Sequence, residues 1–361
     1  MNHWLQRRAA TVLALVAVAL AAMAHPAQAG DPYRYADSKQ WPDWAVSYMA
    51  NDSQKAFPND GELVDAIRYE LIRGYPIVAQ DRLQYRDREF RFDREMTRAE
   101  FAAVLSRSLA LATDGSGDQW FAPHVAALRE RGVVLPDASE EWAAPVSRRE
   151  AGQWMGRAAE AFKADDAADT RTFPDVDDPL IQRALRAGIV KGTDQGRYEP
   201  DRTLIRIEAA VMLLRLARAM NSLGNAQNPQ VLAALQDVIK EADQQASERL
   251  KRWVQLGHLD GVETGGVRTQ EFADALLEAA RSNLAATGGP PYAWPVLAEA
   301  DYHFKPLEVH DTVAALQSCG SAQVFRASDP PDKPWFEEHY CERQFLVFRD
   351  GRWLLAGSGR E

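Results

Sequence analysis

Apolar residues recur at spacings of three and four along the first two thirds of the chain, a pattern typical of amphipathic helices. The first such helix is expected between Gly61 and Arg73 and ends at Gly74. Five more are expected downstream: from Thr97 through Leu109, from Trp120 through Leu128, from Ser147 through Ala158, from Leu180 through Leu185, and from Arg206 to Met220. This part of the chain is therefore predicted to be built from helices joined by loops.

The pattern changes after a predicted linker over Asn221 to Pro229. Two amphipathic helices are expected first, and period-two segments then indicate antiparallel strands with a hairpin turn at Arg349-Asp350-Gly351. The predicted helices are Pro229 to Leu256 and Arg268 to Ala286, and the predicted strand regions are Thr312 to Phe325, Glu342 to Phe348 and Arg352 to Ala356. The C-terminal part is thus predicted to be α+β.

A short motif opens three of the predicted helices, each time with an arginine followed two residues later by a glutamate. The copies are Met96-Thr97-Arg98-Ala99-Glu100, Val146-Ser147-Arg148-Arg149-Glu150 and Ile205-Arg206-Ile207-Glu208. Repetition at a period of roughly 50 to 60 residues is typical of stacked helical units. Three similar charged sites favour a binding protein over an enzyme.

The motif has a physical explanation at each helix start. Thr97 with Glu100, and Ser147 with Glu150, match a capping box, in which the hydroxyl and the carboxylate satisfy free backbone amides. An arginine in the first turn lies beside the positive end of the helix dipole, and this combination suits a carboxylate ligand. A single copy is better explained by a common capping box and a local ion pair with a neighbouring acid; it is the repetition that favours ligand binding.

Residues 1–29 match a secretory signal peptide: Arg7 and Arg8 precede an apolar stretch from Ala9 to Ala24, and an A-x-A site precedes Gly30. The alternative, a membrane anchor, needs a longer apolar run. Removal of the peptide lowers the formal net charge from −10 to about −12. This acidic balance argues against general nucleic-acid binding, and no later stretch is apolar enough to span a bilayer.

The chain has two cysteines, Cys319 and Cys341, both in the predicted exported part. Such a pair in one domain predicts a disulfide, whose loop of about 20 residues would contribute about 3 kcal/mol. A free thiol pair and a metal half-site are the alternatives.

Several further motifs give the chain a resemblance to a known family. Phe173-Pro174-Asp175-Val176, Gly188-Ile189-Val190-Lys191-Gly192, Tyr198-Glu199-Pro200 and Arg206 to Glu208 follow one another in the order seen in S-layer homology domains. Trp120, Gly132 and Ser147 to Glu150 follow the order more loosely, as do Tyr35 to Asp37, Trp44-Ala45 and Thr97 to Glu100 around an insertion. Residues from about 31 to 220 therefore resemble three tandem S-layer homology domains.

The resemblance implies a fold and an organisation. It implies a mostly α protein, with a pseudo-three-fold helical bundle of three repeats followed by a small α+β domain. The implied divisions are a signal peptide over 1–29, repeats over 30–112, 113–165 and 170–221, and a C-terminal domain of unknown role over 229–361. That last domain is weakly similar to the nuclear-transport-factor-like fold.

The resemblance also implies a function and a set of site residues. The family's grooves bind secondary cell-wall polymer, often carrying pyruvate ketals, so the chain is expected to be a non-catalytic envelope anchor. The implied polymer ligands are Arg98, Arg148, Arg206, Lys191, Asp37 and Asp175, with helix-cap support from Thr97, Glu100, Ser147, Glu150 and Glu208. Ile205 in place of a hydroxyl cap, Arg149 in place of alanine and Leu135-Pro136 in place of a glycine turn depart from the family, so at least one groove is expected to be altered.

Catalytic motifs do not stand out. We find no His-Glu-x-x-His, no Gly-x-Ser-x-Gly elbow and no P-loop in the sequence. The chain is therefore expected to be no enzyme and to need no cofactor or metal; its expected partner is cell-wall polysaccharide, and its expected location is the cell wall or S-layer. Two alternatives stay open: an envelope hydrolase with a catalytic C-terminal domain, and a periplasmic envelope tether.

Overall fold

The computed structural model describes most of the chain after the predicted signal peptide, which lies outside the described residues. Described are residues 58–76, 87–111, 119–136, 141–167, 171–256, 266–277, 293–297, 302–326 and 333–360, with a few single positions missing, and scattered positions between 34 and 48. Most of the predicted second C-terminal helix also lies outside them; its described positions from 270 to 277 are helical.

Seven α-helices occupy the described part of the chain, close to the positions that the apolar pattern predicts. They are α1 (Glu62–Arg68), α2 (Arg98–Ser108), α3 (Ala122–Glu130), α4 (Arg148–Ala161), α5 (Pro179–Arg186), α6 (Arg206–Ala219) and α7 (Pro229–Leu256), and a short 3-10 helix covers Asn225–Gln227.

Five helices of the described part end in the same turn. After α3 and α5 the turn residues are Gly132 and Gly188, with φ of 69° and 72°. After α1, α2 and α4 the position is taken by Glu70, Ala110 and Lys163, with φ of 50°, 52° and 51°. Glycine adopts this left-handed conformation without steric cost, whereas the other residues do not. In each case the amide of the turn residue bonds a carbonyl three residues back, and the next amide bonds one five residues back.

Five short strands precede the helices or lie among them. They are β1 (Arg34–Tyr35), β2 (Ser47–Tyr48), β3 (Pro58–Asp60), β4 (Tyr75–Pro76) and β5 (Asp87–Glu89), paired as β1-β5-β4 and β2-β3. Five longer strands form one antiparallel sheet: β6 (Ala293–Leu297), β7 (His303–Val309), β8 (Val313–Arg326), β9 (Phe336–Arg349) and β10 (Arg352–Arg360). The order is β10-β9-β8, and both β6 and β7 pair with the other edge of β8.

The segments that lead into α2, α4 and α6 meet in a closed ring of backbone hydrogen bonds. The amide of Met96 donates to the carbonyl of Leu204, Leu204 donates to Val146, and Val146 donates to Met96, at 2.9–3.0 Å. All three residues are fully buried. The ring brings three helix starts that are about 50 and 60 residues apart in sequence to one point in space.

The sheet lies between two layers of helix. Alternate residues of its strands belong to different cores: Val313, Phe345 and Val347 share a core with α1 and α6. Their neighbours Leu316 and Leu346 face a second core. The helix residues of that second core come from α7, among them Leu235 and Ile239.

The expected fold class, a mostly helical three-repeat bundle followed by a small separate α+β domain, is therefore wrong. The protein is a mixture of helices and an antiparallel sheet, and residues of both parts form one continuous apolar core. The physical reason lies in α6, of whose 14 residues ten are buried, from Arg206 to Ala217. A helix that is apolar on nearly every side needs cover on nearly every side, and the sheet supplies part of it.

The two cysteines form the predicted disulfide. Cys319 on β8 and Cys341 on β9 face each other across the two strands and are bonded, with 2.05 Å between their sulfurs. The prediction of this disulfide is confirmed.

Gly156 allows α4 and α5 to pack closely. A Cβ atom built on Gly156 would lie 2.1 Å from the carbonyl oxygen of Leu180. Since that atom belongs to the backbone of α5, no side chain can move to make room. We expect Gly156→Ala to destabilise the protein by about 1–3 kcal/mol, the usual cost of overpacking, as measured by urea unfolding.

Gly196→Ala is the matched control for steric crowding, because a Cβ there meets no atom within 4 Å. Gly196 has φ of 71°, so its replacement reports the backbone cost alone, about 1 kcal/mol. Equal losses in the two variants would contradict the close packing of α4 against α5.

Candidate functional site

The three arginine-led helix starts are the residues that the sequence selects, and their caps differ. Thr97 and Ser147 each accept a hydrogen bond from the amide of the glutamate three residues on, and Glu100 and Glu150 each accept one from the cap amide in return. At α6 the cap is Ile205, which has no acceptor, so only Glu208 makes its half of the arrangement, at 3.3 Å.

Two of the arginines are paired with the glutamate of the next helix start. Arg98 donates to both carboxylate oxygens of Glu150, at 2.7 and 3.1 Å, and Arg148 donates to Glu208 at 2.7 Å. We call such a pair a clasp. Each clasp joins an arginine to a glutamate that lies 52 or 60 residues further along the chain, at the start of the next unit's helix. The clasps therefore help to hold the successive units together.

The third position has no direct clasp, because Tyr75 lies between Arg206 and Glu100. The hydroxyl of Tyr75 accepts from Arg206 at 3.1 Å and donates to Glu100 at 3.3 Å. Arg94 also donates to this hydroxyl and forms an ion pair with Glu100 at 2.8 Å. The guanidinium of Arg91 stacks over the same ring, 4.8 Å from its centre.

The guanidinium of Arg206 is surrounded by protein. Its other two nitrogens donate to the carbonyls of Phe90 and Arg73, at 2.9 and 2.6 Å. It makes no ion pair with a described residue, and burial lowers the pKa of Arg206 to about 10. The group therefore stays charged at neutral pH and is satisfied mainly by carbonyl dipoles.

These contacts place two of the predicted polymer ligands inside the fold. Arg148 and Arg206 are 7% and 4% exposed, whereas the Arg98 side chain keeps 16%. Arg148 also donates to the carbonyl of Tyr198 and stacks over its ring. A polymer could reach Arg148 or Arg206 only by displacing an internal partner, so their contacts here are structural.

The two predicted aspartates occupy matching positions and also act on the backbone. Asp37 accepts from the amides of Phe90 and Arg91, at 2.9 and 2.7 Å, and Asp175 accepts from those of Tyr198 and Glu199, at 2.9 and 2.8 Å. Desolvation alone would raise the pKa of Asp175, but the two amide hydrogen bonds outweigh it and lower the value. Each carboxylate therefore fixes a loop that carries a buried aromatic residue, Phe90 beside Asp37 and Tyr198 beside Asp175.

Lys191 differs from the arginines because it is exposed and forms no hydrogen bond or ion pair with the described residues. It lies near Glu62 of α1, whose pKa it helps to lower. Burial would raise that pKa, but a two-fold hydrogen bond from Arg215, at 2.7 and 2.6 Å, outweighs it. Lys191 is therefore a predicted ligand whose charge is available to solvent.

Two exposed tryptophans were not selected as ligands from the sequence. Trp44 is 57% exposed and Trp120 is 63% exposed, the latter edge-on to Phe121. Large exposed aromatic faces are uncommon on soluble proteins and commonly mark binding surfaces. The sequence contains no signal for their exposure, because nearby aromatic residues of the same kind, Trp41 and Phe121, are buried or partly buried.

The comparison with known families matches one stretch of the chain. Residues 179–210, from the first residue of α5 to the fifth of α6, match the family model of the S-layer homology domain. The chain contains an S-layer homology domain. The match supports neither three tandem copies nor the nuclear-transport-factor-like resemblance of the C-terminal part. No curated protein matches the chain.

An S-layer homology domain indicates a protein associated with the cell surface or envelope through cell-wall polymers. Within the described ranges, no helix combines the length and apolar character needed to cross a membrane. The same ranges contain no group of histidine, cysteine or acidic side chains placed to hold a metal ion.

Proposed function

We propose that this protein is a non-catalytic envelope anchor, exported by its signal peptide, that binds an acidic secondary cell-wall polymer, such as a pyruvylated glycan. The match of residues 179–210 to the S-layer homology domain carries the proposal. An acidic polymer needs accessible cations, and a glycan also needs aromatic faces on which sugar rings can stack.

We further propose that the two preceding arginine-led units are diverged copies of the matched domain. Two features support this: the capping boxes of α2 and α4, and the clasps that join each unit to the next. The contacts differ most at the third position, where Tyr75 replaces a direct clasp, so we expect the groove beside it to have the most altered chemistry.

The accessible candidate ligands match only in part those that the family resemblance implies. Lys191, which the resemblance includes, supplies an exposed cation within the matched domain; Trp44 and Trp120, which it does not include, supply exposed rings in the other two units. Arg98 is the most accessible of the three arginines but is shared with Glu150. We therefore assign the polymer carboxylate first to Lys191, and we assign Arg98, Arg148 and Arg206 to the clasps and the backbone contacts that support the grooves.

The test is cosedimentation of the mature chain with isolated wall sacculi. Wild-type protein is expected to pellet with intact sacculi and to stay in solution with sacculi stripped of secondary polymer. Lys191→Ala should weaken pelleting about tenfold, because one charge-assisted contact worth about 1.5 kcal/mol is lost. Because the proposed anchor is non-catalytic, the amount of sugar and peptide released from the sacculi should not increase with time.

Arg186→Ala is the matched control, because it removes another exposed cation at the end of α5 and is expected to leave binding unchanged. Binding to stripped sacculi as strong as to intact ones would overturn the polymer assignment. An equal loss in both variants would show that only general charge matters, and turnover of wall material would favour a hydrolase.

A further inference from the structure

A buried cluster of polar side chains lies at the far end of α7, away from the clasps and outside the S-layer homology domain. Its central residue is Arg268, which is 3% exposed. One nitrogen, Nη2, donates to the carbonyl of Ala242 on α7. Nε and Nη1 are shielded from solvent, and neither has a hydrogen-bond partner among the described residues.

A second cation lies on α7. Arg249, about two turns beyond Ala242 on that helix, is partly buried, and its Nε donates to the carbonyl of Gln245 at 3.0 Å. Burial first, and then repulsion from Arg249, lowers the pKa of Arg268 to about 9, while Asp243 acts in the opposite direction. At neutral pH the guanidinium of Arg268 is therefore charged.

Asp243 is the acidic member of the cluster, but it is directed at another partner. It is 8% exposed and accepts a hydrogen bond from the hydroxyl of Tyr302 at 2.8 Å. It forms no ion pair with Arg268 within the described part of the chain, and burial raises the pKa of Asp243 to about 6. Arg268 thus lies buried without an ion pair to Asp243, whose hydrogen bond goes to Tyr302 instead.

An arrangement of this kind is costly if nothing else enters it. A buried guanidinium with unmade hydrogen bonds loses several kcal/mol of solvation, and native proteins almost always supply partners for such groups. α7 carries two more shielded polar atoms without a partner in the described part of the chain, Oε1 of Gln245 and Nε1 of Trp253. Unsatisfied polar atoms on three side chains of these two segments suggest that a ligand completes the cluster.

We propose that Arg268 binds a small anion carrying a carboxylate or phosphate group. The anion would be held between α7 and residues 266–269. The anion would accept hydrogen bonds from Nε and Nη1 of Arg268, and its charge would offset the repulsion between Arg268 and Arg249. Guanidinium groups suit both kinds of oxyanion. This site is independent of the proposed anchoring function, because no residue of the clasps contributes to it.

The experiment is a melting-temperature series on the mature chain at constant pH and ionic strength. Sodium phosphate and sodium acetate are compared with sodium chloride. The probe that binds should raise the melting temperature by roughly 2–4 °C for each tenfold increase above its dissociation constant. Whether phosphate, acetate or both raise the melting temperature will identify the anionic group that the site binds.

Arg268→Met is expected to lose the anion-dependent shift, and Arg252→Met, an exposed arginine on α7, is expected to keep it. If Arg268→Met fails to fold, Arg268→Lys serves instead, since it keeps the charge with fewer directed donors and should reduce the shift. The proposal is overturned if neither probe exceeds chloride in the wild type, or if the shift persists unchanged in the folded Arg268 variant.

Discussion

Replacement of Arg218 by alanine is expected to lower the free energy of unfolding by about 3–5 kcal/mol, because it leaves the buried Asp65 and the partly buried Glu308 without this cation. Arg218 on α6 donates to Asp65 of α1 at 2.7 Å and to both oxygens of Glu308 on β7, at 2.8 and 2.9 Å. The Glu308 carboxylate also accepts from Tyr69 at 2.6 Å. One guanidinium thus joins two helices to the sheet.

The size of this effect is expected to depend on pH. Burial would raise the pKa of Glu308, but the nearby His310 and the hydrogen bonds from Arg218 and Tyr69 outweigh it and lower the value well below the ordinary range. A lowered carboxyl pKa contributes stability above the unfolded value and loses it as the pH falls through the folded value. The loss in Arg218→Ala should therefore be largest at neutral pH and smaller near pH 4, where the unpaired carboxyl groups take up protons.

Urea unfolding at both pH values measures this difference. Arg215→Ala is the matched control, one turn earlier on α6, where the arginine pairs with the more exposed Glu62. We expect that control to lose about 1 kcal/mol. A loss in Arg218→Ala no greater than in Arg215→Ala would show that the buried cluster does not join the sheet to the helices.

Phe345→Ala is expected to lower the free energy of unfolding by about 3–5 kcal/mol. We expect the loss to weaken the helices as well as the sheet. Phe345 on β9 is fully buried, and its ring meets that of Tyr69, at the end of α1, edge-to-face, with centres 5.2 Å apart. Because its core includes α1, α4 and α6, the cavity weakens all of these elements.

Hydrogen exchange followed separately in α4 and β9 will show whether the loss is shared. Both elements should lose protection together in Phe345→Ala, since a common core unfolds as one cooperative unit. Leu223→Ala, at a side chain 68% exposed, should change neither. Faster exchange confined to β9 would mean that the sheet unfolds as a separate body.

The sequence alone could predict most helix positions, because their signals are local. The capping boxes at Thr97 and Ser147, the apolar spacing of α7 and the turn at Asp350-Gly351 each depend on a few neighbouring residues. The disulfide needed only two cysteines and an exported context. Elements whose cause lies within one or two turns of chain are the ones that pattern reasoning finds.

The docking of the sheet was missed, although the sequence carried a sign of it. The runs Val313 to Leu316, Phe345 to Val347 and Trp353 to Ala356 are continuously apolar, which is typical of strands covered on both faces. A separate small domain would show alternation with polar residues instead. The strands were predicted without assigning cover to both of their faces, so the second covering layer was not expected.

The orientation of the arginines could not be predicted, because their partners are far away in the sequence. Glu150 and Glu208 lie 52 and 60 residues beyond the arginines that they bind, and Tyr75 lies 131 residues from Arg206. A helix start shows that an arginine stands beside the dipole, but only the tertiary fold shows whether solvent or another unit faces it. Arg148 and Arg206 are buried because another unit of the fold, and not solvent, faces them.

The ring formed by Met96, Val146 and Leu204 limits how the chain can be shortened or built. None of the three segments has its full set of backbone partners until the other two are present, so an excised copy of the matched region would leave polar groups open at a buried position. Contacts between residues more than one hundred positions apart also slow folding. An isolated fragment would tend to complete its ring by recruiting other molecules, which makes exchange between chains the natural failure of any truncated form.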